Sequence, residues 1–121
     1  MSGRRAPLAL VAVAVALLCG CGQTHVIGAD HTLTVAVTEY RVVPQSIRAP
    51  AGLLTVFVHN DGRLTHNLVI SLKGQAQAAT PPISPGATGV LAVTLGPGRY
   101  LIASTLLSDQ ALGAYGTLTV R

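Results

Sequence analysis

The chain has 121 residues, which is enough for one domain. Its eight Lys and Arg residues exceed its four Asp and Glu residues, giving a net charge of +4, but the basic residues are scattered along the sequence. Nucleic-acid binding usually needs a clustered basic surface, so we do not expect it here. We also do not expect an enzyme, because the sequence has no nucleophile elbow, phosphate loop or paired carboxylates.

The first 20 residues have the features of a signal peptide. Arg4 and Arg5 precede an uncharged apolar run over residues 6–18, which is shorter than the roughly 20 residues that a membrane span needs. The run ends in Leu18-Cys19-Gly20-Cys21, which resembles the bacterial lipobox, with the small Gly20 before the cut. We predict that residues 1–20 are removed and that Cys21 carries a lipid. The alternative is a plain secretory signal followed by a free or disulfide-bonded cysteine.

Residues 21–30 show no clear periodicity of apolar residues, which predicts a tether between lipid and domain. After cleavage Cys21 is the sole cysteine, so the fold must depend on its hydrophobic core rather than on a disulfide. His25 and His31, with Asp30 between them, are interpreted as solvated linker residues rather than metal ligands.

From residue 31 to residue 121, apolar and polar residues alternate along short segments that are separated by Gly/Pro turns. Leu33, Val35 and Val37 share one predicted strand face, and further strands are predicted from Leu54-Val56-Val58 and over 67–72, 88–95, 99–105 and 117–120. His59 falls on an outward, solvent-facing position. Residues 75–82 are predicted to be a flexible loop, and residues 106–114 a second loop with room for one helical turn. The pattern predicts an all-β sandwich or barrel.

The order of these segments resembles the cupredoxin family over nearly the whole domain. The resemblance is carried by Thr38-Glu39-Tyr40 with Pro44, by Val56 to Gly62 followed by Thr65-His66-Asn67, by Pro97-Gly98-Arg99-Tyr100, and by Gly116 to Val120. It implies a Greek-key β-sandwich.

In that family a histidine, a cysteine, a second histidine and a methionine bind copper. Laid on the family pattern without gaps, this chain keeps His66 but has Ser104, Asp109 and Ala114 in the other three positions. A blue-copper site needs two imidazoles and a thiolate. No cysteine follows Cys21, no methionine follows Met1 and no histidine follows His66. No alignment of the last third of the chain can therefore supply the missing ligands. We therefore expect no type 1 copper site and no cofactor.

Two other readings of these residues are open. His66 and Asp109 could together hold Cu(II) or Zn(II) loosely, although a tight site usually needs three protein ligands. The simpler expectation is that Asp109 accepts a hydrogen bond from His66. A hydrolytic triad of Ser104, His66 and Asp109 is not expected, since no oxyanion-hole signature accompanies it.

The function expected from the sequence is a non-enzymatic interaction module, held at the extracytoplasmic face of the membrane by its N-terminal lipid. A protein partner is expected at an apolar patch in the second loop, unless these residues turn inward to fill the vacated copper site; they are Leu106, Leu107, Ala111, Leu112 and Ala114. The alternative is a copper-binding protein, for electron transfer or copper handling, that uses His66 and non-standard ligands.

Overall fold

The computed structural model describes residues 23–121, so the predicted signal peptide and Cys21 lie outside the described residues. Within 23–121 the chain forms ten strands: β1 (His25–Val26), β2 (Thr32–Thr38), β3 (Arg41–Val43), β4 (Ser46–Ala49), β5 (Gly52–Asn60), β6 (Val69–Leu72), β7 (Gln75–Ala79), β8 (Thr88–Leu95), β9 (Gly98–Ala103) and β10 (Tyr115–Val120). No helix in this part of the chain has the length and apolar character required to cross a bilayer.

The strands form two sheets that enclose one core. One sheet has the order β1-β4-β10-β9-β6-β7 and the other β3-β2-β5-β8. The predicted inward faces are confirmed: Leu33, Val35 and Val37 of β2 are buried, as are the matching residues of β5. The opposite sheet packs against them with Ile47, Ile70, Ile102 and Leu118. Burying each such side chain contributes about 2 kcal/mol, so the core can stabilise the domain.

Strands β3, β4 and β7 differ from the sequence predictions. The predicted flexible loop over 75–82 is wrong, because β7 occupies most of it and pairs with β6 at the edge of the larger sheet. Every residue of β7 except Ala78 is exposed, so backbone hydrogen bonds rather than an apolar face define this strand. Strands β3 and β4 were not predicted as separate elements.

The predicted tether is also partly wrong, because the sandwich begins inside it. His25 and Val26 of β1 pair in parallel with Ile47 and Arg48 of β4. Ile27 donates its backbone N–H to the Arg48 carbonyl at 2.9 Å and is only 5% exposed within the core. The domain boundary therefore lies before residue 31, at about His25.

The fold brings two loops to one end of the sandwich, which we call the site end. Strand β5 ends there and leads into residues 61–65, while β9 ends and β10 begins there on either side of residues 104–114. The pairing of Tyr115 with Ala103 closes this second connection at its base. We call residues 106–114 the end loop.

Candidate functional site

His66 lies at the site end and is fully buried. Its backbone forms an isolated bridge with Ile83, with N···O distances of 3.1 and 2.7 Å. Asn60, the last residue of β5, supports this loop because its side-chain amide donates to the carbonyls of Leu64 and Ile83 at 2.8 Å each. The backbone that carries the imidazole is therefore fixed by these hydrogen bonds.

Both ring nitrogens of His66 contact carboxylates. Nδ1 lies 2.7 Å from Oδ2 of Asp109, and Nε2 lies 2.5 Å from Oε2 of Glu39. A neutral imidazole can donate only one of these hydrogen bonds, whereas an imidazolium donates both. Burial alone would lower the pKa of His66, but the hydrogen bonds to Glu39 and Asp109 outweigh it and hold that pKa above 6.5. The geometry suits an imidazolium that donates one hydrogen bond to each of the two carboxyl groups.

Asp109 links this ion pair to the end loop. Its side chain is buried, and Oδ2 accepts a second hydrogen bond from the Ser104 hydroxyl at 2.6 Å. Three of the positions that the resemblance assigns to copper ligands thus hold side chains in one hydrogen-bonded chain, with Asp109 between His66 and Ser104. The hydrogen bond from His66 to Asp109 is the simpler of the two arrangements expected for this pair.

Asn67, which follows His66, also connects the two loops through hydrogen bonds to Ser104 and Thr105. Its side-chain oxygen accepts the Thr105 backbone N–H at 2.7 Å, and its side-chain nitrogen donates to the Thr105 hydroxyl at 3.0 Å. Its backbone N–H donates to the Ser104 oxygen at 3.3 Å. Asn67 and Ser104 are buried, so their polar atoms need hydrogen-bond partners within the protein, and these bonds supply them.

Glu39 is the site residue that sequence reasoning missed. It follows β2, and its Oε1 accepts the backbone N–H of Arg63 at 2.7 Å. This hydrogen bond, and secondly the one from His66, lower the pKa of Glu39 below 4.5. Gly62 makes room for the carboxylate, because a Cβ there would collide with Oε2 of Glu39 and lie 2.9 Å from Nε2 of His66. The need of a buried histidine for a counter-charge is the signal that could have pointed to Glu39.

The donor set does not fit a copper centre. Within residues 23–121 no three His, Cys, Asp or Glu side chains are arranged to hold a metal ion. Glu39 and Asp109 contact opposite edges of the His66 ring, so they do not converge on one point. Ser104 already donates its hydroxyl to Asp109, and the buried Ala114 offers only its carbonyl, which accepts the Ser104 N–H at 3.0 Å.

Ser104, His66 and Asp109 also lack the order of a hydrolytic triad. Such a triad needs the histidine between serine and carboxylate, so that the imidazole accepts the serine proton. Here the carboxylate of Asp109 lies between the other two. His66 has both nitrogens engaged by carboxylates and is not available as a base for Ser104.

The remaining histidines lie away from this site. His25 is exposed in β1, and His31 is half-buried directly before β2. His59 is exposed, as predicted, and its Nδ1 is 2.6 Å from the Thr88 hydroxyl oxygen on the neighbouring strand. The Asp30 carboxylate accepts the Thr32 backbone N–H at 3.3 Å.

The leucines of the end loop divide between solvent and interior. Leu107 is 96% exposed and Leu112 is 56% exposed, whereas Leu106 is half-buried and Ala114 is fully buried. The loop is a series of turns, including one helical-type bond from the Leu112 N–H to the Ser108 carbonyl at 3.0 Å. Part of the expected apolar patch is therefore exposed at the site end.

Comparison with known proteins identifies the fold. No protein-family model and no curated protein matches the chain. Among solved structures, it is similar to the dithionite-reduced auracyanin from the photosynthetic bacterium Roseiflexus castenholzii, at 23% identity and a TM-score of 0.69 over 78% of this chain and 99% of that one. Auracyanin B matches at 21% identity and a TM-score of 0.68, over 74% of this chain and 88% of that one. Auracyanin A, a blue copper protein from Chloroflexus aurantiacus, matches at 16% identity and a TM-score of 0.62, over 74% and 99%. These identities show the fold alone, and the expected cupredoxin-like sandwich is confirmed.

Proposed function

We propose that this protein is a membrane-anchored, extracytoplasmic interaction module in which a hydrogen-bonded network replaces the copper site of the cupredoxin fold. The observation that carries the proposal is the position of Asp109 Oδ2, which is 2.7 Å from Nδ1 of His66 and 2.6 Å from Oγ of Ser104. This one carboxylate oxygen is hydrogen-bonded to two side chains, both at positions that the resemblance assigns to copper ligands. Charge-assisted bonds of this kind are the stronger class, so this network opposes metal entry.

In this proposal the network shapes the contact surface. The Asp109 backbone lies at the centre of the end loop, where its N–H bonds the Leu106 carbonyl at 3.1 Å and its carbonyl accepts the Ala114 N–H at 2.9 Å. Its side chain is fixed to His66, which belongs to the other loop. The buried ion pair thereby holds the turn that exposes Leu107 and Leu112.

The anchor and the absence of catalysis belong to the same proposal. The Leu18-Cys19-Gly20-Cys21 motif supports a lipid on Cys21, four residues before β1 begins. The bonding order of Ser104, Asp109 and His66 supports a non-enzymatic role, because no base is placed at the serine hydroxyl. The full chain should not react with a fluorophosphonate probe. Labelling that disappears in Ser104→Ala would contradict this part of the proposal.

Copper content tests the proposal directly. The full chain, purified in detergent, is incubated with excess Cu(II) or with Cu(I), desalted and analysed for bound metal. We expect substoichiometric copper, at the same level in His66→Gln and in His59→Gln, the matched control at an exposed histidine. One tightly bound copper per chain that is lost only in His66→Gln would overturn the proposal and favour a copper-handling role.

A further inference from the structure

We propose that the site end faces the membrane and that the end loop contacts the lipid surface itself. This inference rests on the proposed lipid at Cys21. It names the partner of the exposed apolar loop as lipid, rather than a soluble protein docking from the aqueous side. It follows from where the described chain begins and from which side chains surround that point.

The direction of β1 places the N-terminal attachment at the site end. Strand β10 runs away from the site end, since Tyr115 directly follows the end loop. Strand β4 is parallel to β10, and β1 is parallel to β4. The chain therefore enters β1 from the site end. The hydroxyl oxygens of Thr24 and Ser46, 3.4 Å apart, continue this alignment one residue before β1.

The distance from the described chain to the lipid is short. Continuing the register of β1 and β4 places Gln23 beside Gln45, and the Gln45 carbonyl is 2.6 Å from where a Cβ on Gly116 would lie. Cys21 is two residues further, within about 7 Å of Gln23 in any direction. Strand β1 is two strand spacings, about 10 Å, from β10. Gln23, two residues after Cys21, therefore lies beside the site end, so a lipid on Cys21 would be attached close to it.

Apolar and interfacial side chains are exposed at the same end. Leu107 and Leu112 extend from the end loop, and Leu64, on the loop after β5, is 50% exposed. Tyr115 lines an open depression with Leu107 and Leu112, and the carbonyl of Tyr40 is next to Gly113 of that loop. Both tyrosines are partly exposed. Leucine together with tyrosine is the composition typical of surfaces that rest in the headgroup region.

Backbone conformation and charge at the site end are consistent with lipid contact. Leu107 has a φ of 51°, a left-handed conformation that glycine and asparagine adopt more readily than leucine does. The backbone therefore does not favour leucine at this position, where the side chain is almost fully exposed. Arg41 and Arg63 are exposed at the same end and can contact lipid phosphates.

Site-specific labelling of the lipidated chain in vesicles tests the orientation. Because Cys21 is acylated in this proposal, Leu107→Cys or Leu112→Cys introduces one free thiol for an environment-sensitive fluorophore. Leu53→Cys is the matched control, since Leu53 is 58% exposed near the start of β5, away from the site end. In phosphatidylcholine–phosphatidylglycerol vesicles we expect a nitroxide-bearing lipid to quench residues 107 and 112 several-fold more than residue 53.

The outcomes distinguish this inference from the proposed function. Failure of the chain to float with vesicles would overturn both the lipid anchor and the orientation. A chain that floats but leaves residues 107 and 112 as accessible to aqueous iodide as residue 53 would overturn the orientation alone. Shielding of residue 107 only after addition of membrane proteins would also overturn it, and would assign the loop to a protein partner.

Discussion

Nε2 of His66 lies 2.5 Å from Oε2 of Glu39, on the opposite edge of the imidazole from Asp109. This contact joins the end of β2 to the loop after β5, and Asp109 extends it to the end loop. Removing one partner of a buried pair leaves the other charge without compensation, which costs more than the pair itself is worth. His66 is thus the residue through which three segments of the site end are connected.

Replacing Glu39 by glutamine should lower the pKa of His66 and the melting temperature. The amide retains an acceptor for the His66 N–H but removes the negative charge that favours the imidazolium. A pH titration of His66 by NMR measures the first effect and thermal unfolding the second. Asp61→Asn removes an exposed carboxylate from the neighbouring loop and should change neither. Equal effects in the two variants would contradict a specific ion pair.

Stability should be greatest at mildly acidic pH. The raised pKa of His66 means that its contribution is fully present below 6.5 and is lost as the pH rises through the folded-state value. The lowered pKa of Glu39 means that its contribution is present above 4.5 and is lost as the pH falls through its folded-state value. The free energy of unfolding should therefore fall on raising the pH above 6.5.

Denaturant unfolding across this pH range tests the assignment to His66. The decline above pH 6.5 should disappear in His66→Gln and persist in His59→Gln, which alters an exposed histidine. Persistence of the decline in His66→Gln would show that another group causes it.

Gly62→Ala should disrupt the ion pair through sterics alone. The new Cβ would collide with the Glu39 carboxylate, which is already fixed by the Arg63 N–H. We expect a loss of about 1–3 kcal/mol in the free energy of unfolding, typical of overpacking. Gly96→Ala is the control, because a Cβ there has no neighbour within 4 Å. A Gly62→Ala protein as stable as Gly96→Ala would contradict the close packing around Glu39.

Introducing the ligand residues of the cupredoxin pattern should create a copper site. The triple variant Ser104→Cys, Asp109→His and Ala114→Met supplies the three missing ligand types, combined with Glu39→Gln to remove the negative charge that favours the imidazolium form of His66. Ser104 bonds the Asp109 side chain and the Ala114 carbonyl, so the positions are adjacent. We expect one copper per chain and an intense visible absorption band, which a variant with Ser108→Cys in place of Ser104→Cys lacks. A folded variant that binds no copper would contradict the register taken from the family pattern.

The sequence predicts the core strands well because their burial repeats every second residue. Leu33-Val35-Val37 and Leu54-Val56-Val58 each place three apolar side chains on one face, and both faces are buried. Edge strands β1 and β7 carry no such alternation, since backbone pairing defines them. Propensity and pattern do not detect a two-residue strand such as His25–Val26.

The site is only partly predictable for a related reason. His66, Ser104 and Asp109 can be placed from the family pattern, and the structure brings all three together. Glu39 is 27 residues from His66 in the chain, and their contact depends on the parallel pairing of β2 with β5. The direction in which the end-loop leucines point likewise depends on the buried anchor at Asp109. Neither relationship can be recognised from the residues that are adjacent in the sequence.

The charge state of the His66 ring tests the central claim most directly. Nitrogen-15 NMR of the full chain near pH 6, before and after one equivalent of copper, reports the protonation of each ring nitrogen. We predict that both nitrogens carry protons and that copper leaves their signals unchanged. A ring with one unprotonated nitrogen, whose signal copper broadens or removes, would contradict the account.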